Sequence, residues 1–180
     1  MLLSKPEQDQ FFSNYLPLLY YAAMYEGLLP EAAVLMDFGH SSLEIKVQSR
    51  DALFTDSNIL RYFLMDNGKH LTKEGVSFLK SVEQGMLSNF VVLRQYKKYG
   101  VLMHPETGVF YEVVNITEQF SKLLSYIPTY ITTALFNFNG KIICDGLFKG
   151  GNMNIGPNNE KSFLEKYHAC KADREVVTLL

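Results

Sequence analysis

Several groups of residues in this sequence carry side chains able to do chemistry. The first is Asp145, Glu112 and His104. His104 stands beside Pro105 and Glu106, and a histidine next to a carboxylate can take and give protons near neutral pH. The favoured reading of that pair is a solvated turn. Asp145 leaves the run Ile142-Ile143-Cys144 just before Gly146. An acid there can serve as ligand or base, but it can equally bond the backbone of its own turn, which is the reading favoured. A small hydrolase built on these residues would use Asp145 with Glu112 or His104.

The second group is Arg94, Tyr96, Lys97, Lys98 and Tyr99, where basic side chains interleave with tyrosines. Cations on phosphates with bases stacked on aromatic rings is how a sheet surface holds single-stranded nucleic acid. The ordinary alternative is a polar strand and turn kept soluble by lysines. The third is Cys144, whose neighbour Asp145 raises a thiol's pKa instead of activating it, so a buried small hydrophobe is expected. The fourth is the glycine-rich stretch 149–157. Successive amides there could hold an anion, but the stretch lacks the Gly-Lys-Ser/Thr ending of a phosphate loop, and a bulged strand exit is expected. The histidines His40, His70, His104 and His168 are scattered, so no metal site and no cofactor is spelled out.

Composition bounds the rest. A chain of 180 residues is one domain's worth. Its net charge of −2 gives no global pull toward nucleic acid or an anionic membrane. Two cysteines are too few for a disulfide framework, and free thiols suit a reducing compartment. The N-terminus lacks the basic and apolar regions of a secretory leader, and the apolar stretch Leu16–Met24 is far short of a membrane span. These features point to a cytoplasmic protein. Thirteen Phe and 11 Tyr with no Trp suit half-buried surfaces that a partner can cover.

The elements that must position these residues change character along the chain. Residues 7–29 carry apolar side chains at helical spacing, with Pro17 expected to kink the helix or start a second one. Shorter helices are expected over 30–38, 42–54, 57–65 and from Thr72, a good N-cap, to about Gly85. Beyond Met86 the residues become β-branched and aromatic. Strands are expected over 90–93, 99–103, 109–114, 130–138 and 141–144. Thr117 should cap a short helix ending before Pro128. Asn139-Gly140 between two apolar runs is the strongest hairpin signal here, since both residues accept the positive φ of a type I′ turn. A helix over 159–170 should close the fold, leaving the last ten residues as a tail.

Residues 90–99, 109–117 and 139–148 resemble a group of uncharacterised bacterial proteins. A line reading Leu-Pro-Phe, a basic residue or Gly, then Lys-Ile-Ile-Tyr-Asp-Gly-Leu recurs near their C-termini. The Tyr of that line is Cys144 here, and its Leu-Pro-Phe is Phe136-Asn137-Phe138. A looser match runs over 58–78. The resemblance implies a bacterial cytosolic protein and transfers no activity and no catalytic residue.

Runs of helices followed by runs of strands argue for an α+β fold. The expected form is a single domain, 1–180, with a helical half (1–86), an antiparallel β half (87–158) and a C-terminal helix (159–172). The helices should pack on a curved antiparallel sheet, or small open barrel, of about five strands. The function expected is a protein-interaction or regulatory domain without catalysis, with a protein partner or a homodimer as the contact. A single-stranded nucleic-acid-binding module and a small hydrolase are the alternatives.

Overall fold

The computed structural model describes all 180 residues, Met1–Leu180. The fold class is α+β, and the chain divides into two compact units. One is helical, Ser4–Met86; the other is Leu87–Leu180 together with Met1–Leu3.

The helical unit holds α1 (Lys5–Tyr25), α2 (Leu35–His40), α3 (Leu43–Thr55), α4 (Ser57–Asn67) and α5 (Lys73–Glu83). Local chemistry sets their starts. The Ser4 amide donates to the Glu7 carboxylate at 2.8 Å, Ser42 accepts from the Ile45 amide, and Thr72 accepts from the Gly75 amide. Helix α1 is a single helix that contains Pro17, so no second helix starts there. An interior proline costs about 3 kcal/mol. Burial of Phe11, Tyr15, Leu18, Leu19, Ala22 and Ala23 along the same helix outweighs that loss. Phe11 and Tyr15 meet the Phe78 ring of α5 edge-on, at 5.8 and 6.1 Å between centroids.

The second unit holds β1 (Met86–Gln95, with Met86 at the unit boundary), β2 (Gly100–Met103), β3 (Phe110–Val114), α6 (Phe120–Leu123), β4 (Thr129–Phe138), β5 (Lys141–Cys144), β6 (Lys149–Gly150) and α7 (Pro157–Ala172). The sheet order is β1-β2-β3-β5-β4-β6, and β1 also pairs with β4, so five strands form a ring. The sheet is mixed, not wholly antiparallel as expected: β3 and β5 run parallel, with Val113 opposite Ile142. The β4–β5 hairpin is tight and antiparallel. Its tip is Asn139-Gly140, at φ +49° and +71°, the type I′ geometry read from the sequence.

Gln119, not the expected Thr117, occupies the cap of α6. Residues 149–150, at the start of the glycine-rich stretch, form the two-residue strand β6 against β4. The final residues are not the expected tail. The Val177 amide donates to the Phe110 carbonyl and the Val177 carbonyl accepts from the Glu112 amide, while Asn137 holds the Leu180 backbone through both amide atoms. β5 covers β3 only at Val113 and Val114, so the rest of that side of β3 is left to the extended segment around Val177, which bridges to Tyr111.

Candidate functional site

Alternation along β1–β3 sorts their side chains onto two faces. Val91, Leu93, Val101, Met103 and Phe110 form one buried cluster with Ile155 and with Tyr167 of α7. Glu112 lies opposite Val101, so it shares that face. His104 lies on the other, against the edge of the Phe90 ring. Glu112 and His104 are therefore on opposite faces and do not meet.

Glu112 is instead the centre of a four-residue network. Tyr167 and Lys171 stand one turn apart on α7, which puts them on the same side of the helix. The Tyr167 hydroxyl donates to Glu112 Oε1 at 2.8 Å. The Lys171 ammonium donates to the same oxygen at 2.5 Å and to the Tyr99 hydroxyl. It also lies over the Tyr99 ring, 4.7 Å from its centroid. The turn that presents Tyr99 is braced by Gln95, whose side-chain amide donates to the Tyr96 and Tyr99 carbonyls and accepts from the Phe120 amide.

The electrostatics of this network oppose proton transfer. Burial, then the hydrogen bonds with Tyr99 and Glu112, push the Tyr167 phenol far above its ordinary range. Burial draws the Lys171 ammonium down, but hydrogen bonds and charges from Glu112 and Tyr99 outweigh it and leave its pKa raised. A general acid or base needs a pKa near the working pH. Here both protons are held fast.

The basic stretch is partly committed. Arg94 pairs with Glu160 across 3.6 Å. Tyr96 is half-buried and stacks on Tyr167 at 6.3 Å, 30° between planes. Lys97 and Lys98 remain exposed. The interleaved tyrosines thus face the core cluster and are not a free stacking platform.

His104 has a partner the sequence reading missed: Ser88 Oγ lies 2.9 Å from its Nε2. A serine–histidine contact invites a catalytic reading. Its Nδ1, however, is buried and meets no acceptor, so nothing would stabilise the imidazolium that a general base becomes. The favourable tautomer puts the proton on Nε2, donating to Ser88, which leaves the serine unactivated.

Asp145 is buried and serves its own turn. Its Oδ1 accepts from the Leu147 amide at 3.1 Å and from the Thr133 hydroxyl at 2.9 Å, with Gly146 at φ +82°. The Thr133 oxygen is also 3.0 Å from Cys144 Sγ. Cys144 is buried, and both cysteines are free thiols. Gly150 sits at φ +88°, where a Cβ would meet the Tyr130 carbonyl at 2.8 Å. Close approach to β4 accounts for that glycine. No group of three or more His, Cys, Asp or Glu is placed to hold a metal ion.

The helical unit carries a different feature. Val34, Leu35, Met36 and Leu43 are between 42 and 69% exposed. They are not loosely placed. Phe38, between them, is fully buried and packs against Tyr20 at 6.3 Å, whose hydroxyl donates to the Ala33 carbonyl at 2.7 Å. Asp37 caps the same short helix by accepting from the Val34 amide. Of the α1 aromatics, Phe11 and Tyr15 are buried, Tyr21 donates to Asp66 at 2.6 Å, and Tyr25 is exposed.

No helix is long and apolar enough to cross a membrane. No protein-family profile, curated protein or solved structure matches the chain.

Proposed function

We propose that this protein acts by binding another protein, not by catalysis, and that the contact is the apolar ridge Val34-Leu35-Met36 with Leu43. The observation that carries this reading is the exposure of four large apolar side chains on a segment whose own anchor, Phe38, is fully buried. Single exposed apolar residues need no explanation, but a cluster fixed in place invites cover. Glu31, Asp37 and Glu44 are exposed on the same segment. The occupant that fits is therefore a protein segment with an apolar face flanked by lysines or arginines, such as a basic amphipathic helix.

The alternatives draw less support. For single-stranded nucleic acid, Arg94 is engaged by Glu160 and Tyr96 by Tyr167. For a hydrolase, Glu112, His104 and Asp145 each have separate partners. A cytoplasmic setting and kinship with the bacterial proteins sharing the line at 139–148 belong to the same proposal. The half-buried free thiol of Cys170 suits a reducing compartment.

The test is titration of the full chain with a fluorescent Leu/Lys amphipathic peptide, followed by anisotropy, against a Ser/Lys peptide of equal charge. Saturable binding of the first alone, lost in Leu35→Ser/Met36→Ser, supports the reading. Equal binding of both peptides, or of both proteins, overturns it. A stable dimer dissociated by the same substitutions would give the ridge to a second copy instead.

A further inference from the structure

The β unit holds a small cavity at the carboxyl ends of its parallel strand pair. In that pair Val113 stands opposite Ile142 and Val114 opposite Ile143. The next residues along the two strands are Asn115 and Cys144, and both line the cavity. Ile116, Glu118, Leu123 and Phe148 are also in its wall, and its volume is about 70 Å³. A single water needs about 10–15 Å³, so the space admits a molecule of a few heavy atoms.

Asn115 sets the chemistry of this cavity. The residue is 2% exposed, and its Oδ1 is buried with no hydrogen-bond partner. Cys144 does not supply one; its sulfur lies 3.0 Å from the Thr133 hydroxyl. The Asn115 backbone is held in place, since its carbonyl accepts from the Leu3 amide at 3.1 Å. Buried polar side chains are nearly always paired. A buried carboxamide that the protein leaves unpaired, bordering a cavity, points to a partner from outside the chain.

That partner must match what a carboxamide offers, an acceptor oxygen beside an NH₂ donor. Another carboxamide presents the complementary edge, one donor beside one acceptor. A ketone only accepts and an ammonium only donates. A carboxylate only accepts, and it brings a second negative charge beside Glu118, an exposed acid. Ile116, Leu123 and Phe148 give apolar wall for a short alkyl group. The Phe148 ring packs on the Phe120 ring at 5.8 Å, which fixes that wall before any ligand arrives.

We propose that this cavity binds a small uncharged carboxamide, paired edge to edge with Asn115. The proposal rests on residues of the β unit alone. Its failure leaves the protein-contact reading of the helical unit untouched, and the reverse holds too.

The experiment is a titration of the ¹⁵N-labelled full chain, by amide chemical shift, with acetamide, acetone and acetate in turn. The three are close in size and differ in what they donate, accept and carry as charge. Acetamide should give saturable shifts concentrated at Asn115, Ile116, Cys144 and Phe148, with a dissociation constant on the order of 1 mM, within reach of a ligand of four heavy atoms. It should bind at least about tenfold more tightly than either control, the scale of one buried hydrogen-bonding group left unpaired. Asn115→Leu should weaken acetamide by at least about tenfold on the same grounds. Glu118→Gln, on an exposed side chain, keeps the test open should Asn115→Leu fail to fold. It should narrow the preference for acetamide over acetate severalfold, since the repelling charge is gone. Absence of saturable shifts at those amides would leave the cavity to water and overturn the proposal. Equal binding of acetone or acetate, an affinity unchanged in folded Asn115→Leu, or a preference unchanged in Glu118→Gln would overturn it too.

Discussion

The Tyr167 hydroxyl on α7 donates to Glu112 Oε1 on β3 over 2.8 Å, joining residues 55 apart in the sequence. The bond fastens the C-terminal helix to the sheet at a point where the tyrosine ring is itself fully buried among apolar side chains. Hydrogen bonds to charged groups contribute about 1.5–3 kcal/mol. Tyr167→Phe keeps the ring and removes only the donor. It should lower the stability of the β unit by about that amount, read as a lower urea midpoint with an unchanged slope.

Alkaline pH should loosen the same network. Tyr167 and Lys171 both have raised pKa values in the folded state. A raised pKa means the proton-bound form is favoured by folding. The stabilisation is therefore full below the unfolded values, near pH 10, and is lost as pH rises through the folded ones. Thermal unfolding temperatures should fall above about pH 10, and less so in Tyr167→Phe. Absorbance at the phenolate band should show Tyr167 ionising only as the protein unfolds. Tyr21 is pushed up to about 12 by burial and its Asp66 bond, so it should also titrate late. A stability profile flat to pH 11 would contradict this.

Gly100 is required by packing and not by backbone conformation. A Cβ there would lie 2.5 and 2.6 Å from two carbons of the Phe120 ring. Gly100→Ala should destabilise by about 1–3 kcal/mol through overpacking. In a Phe120→Leu background the same change should cost less, because the facing ring is gone. Equal costs in both backgrounds would remove Phe120 from the explanation.

Gly140 presents the opposite case. Nothing lies within 4 Å of its missing Cβ, but its φ is +71°. Gly140→Val should cost roughly 1–3 kcal/mol from backbone strain alone. Gly140→Asn, which tolerates that φ, should cost much less, and denaturant midpoints distinguish the two.

What the sequence makes legible is local. Asn139-Gly140 dictates its turn through two residues, and Thr72 its cap through the Gly75 amide three positions on. The strand ranges from 90 to 144 follow from β-branched and aromatic runs. Asp145 as a turn residue, too, is readable from the glycine beside it. What escapes depends on partners far along the chain. The parallel pairing of β3 with β5, the docking of Val177 and Leu180, and the Ser88–His104 contact join segments with no shared pattern. Tyr167 and Lys171 show the boundary between the two. Their spacing places them on one helix face, but nothing near them names Glu112 as their partner. Pro17 fails as a breaker for a related reason, because burial along α1 outweighs a local preference.

The central claim, contact through the ridge on the helical unit, meets its most direct test in one comparison. The affinity of the Leu/Lys peptide is measured for the native chain and for Leu35→Ser/Met36→Ser, by anisotropy at about 0.15 M salt, where surface charges alone are screened beyond roughly 8 Å. Loss of two apolar anchors should weaken binding at least about tenfold, equivalent to about 1.4 kcal/mol. Circular dichroism should be unchanged, since both side chains are exposed. Saturable binding by the native chain with that loss is the result predicted. An affinity unchanged by the double substitution would contradict the account.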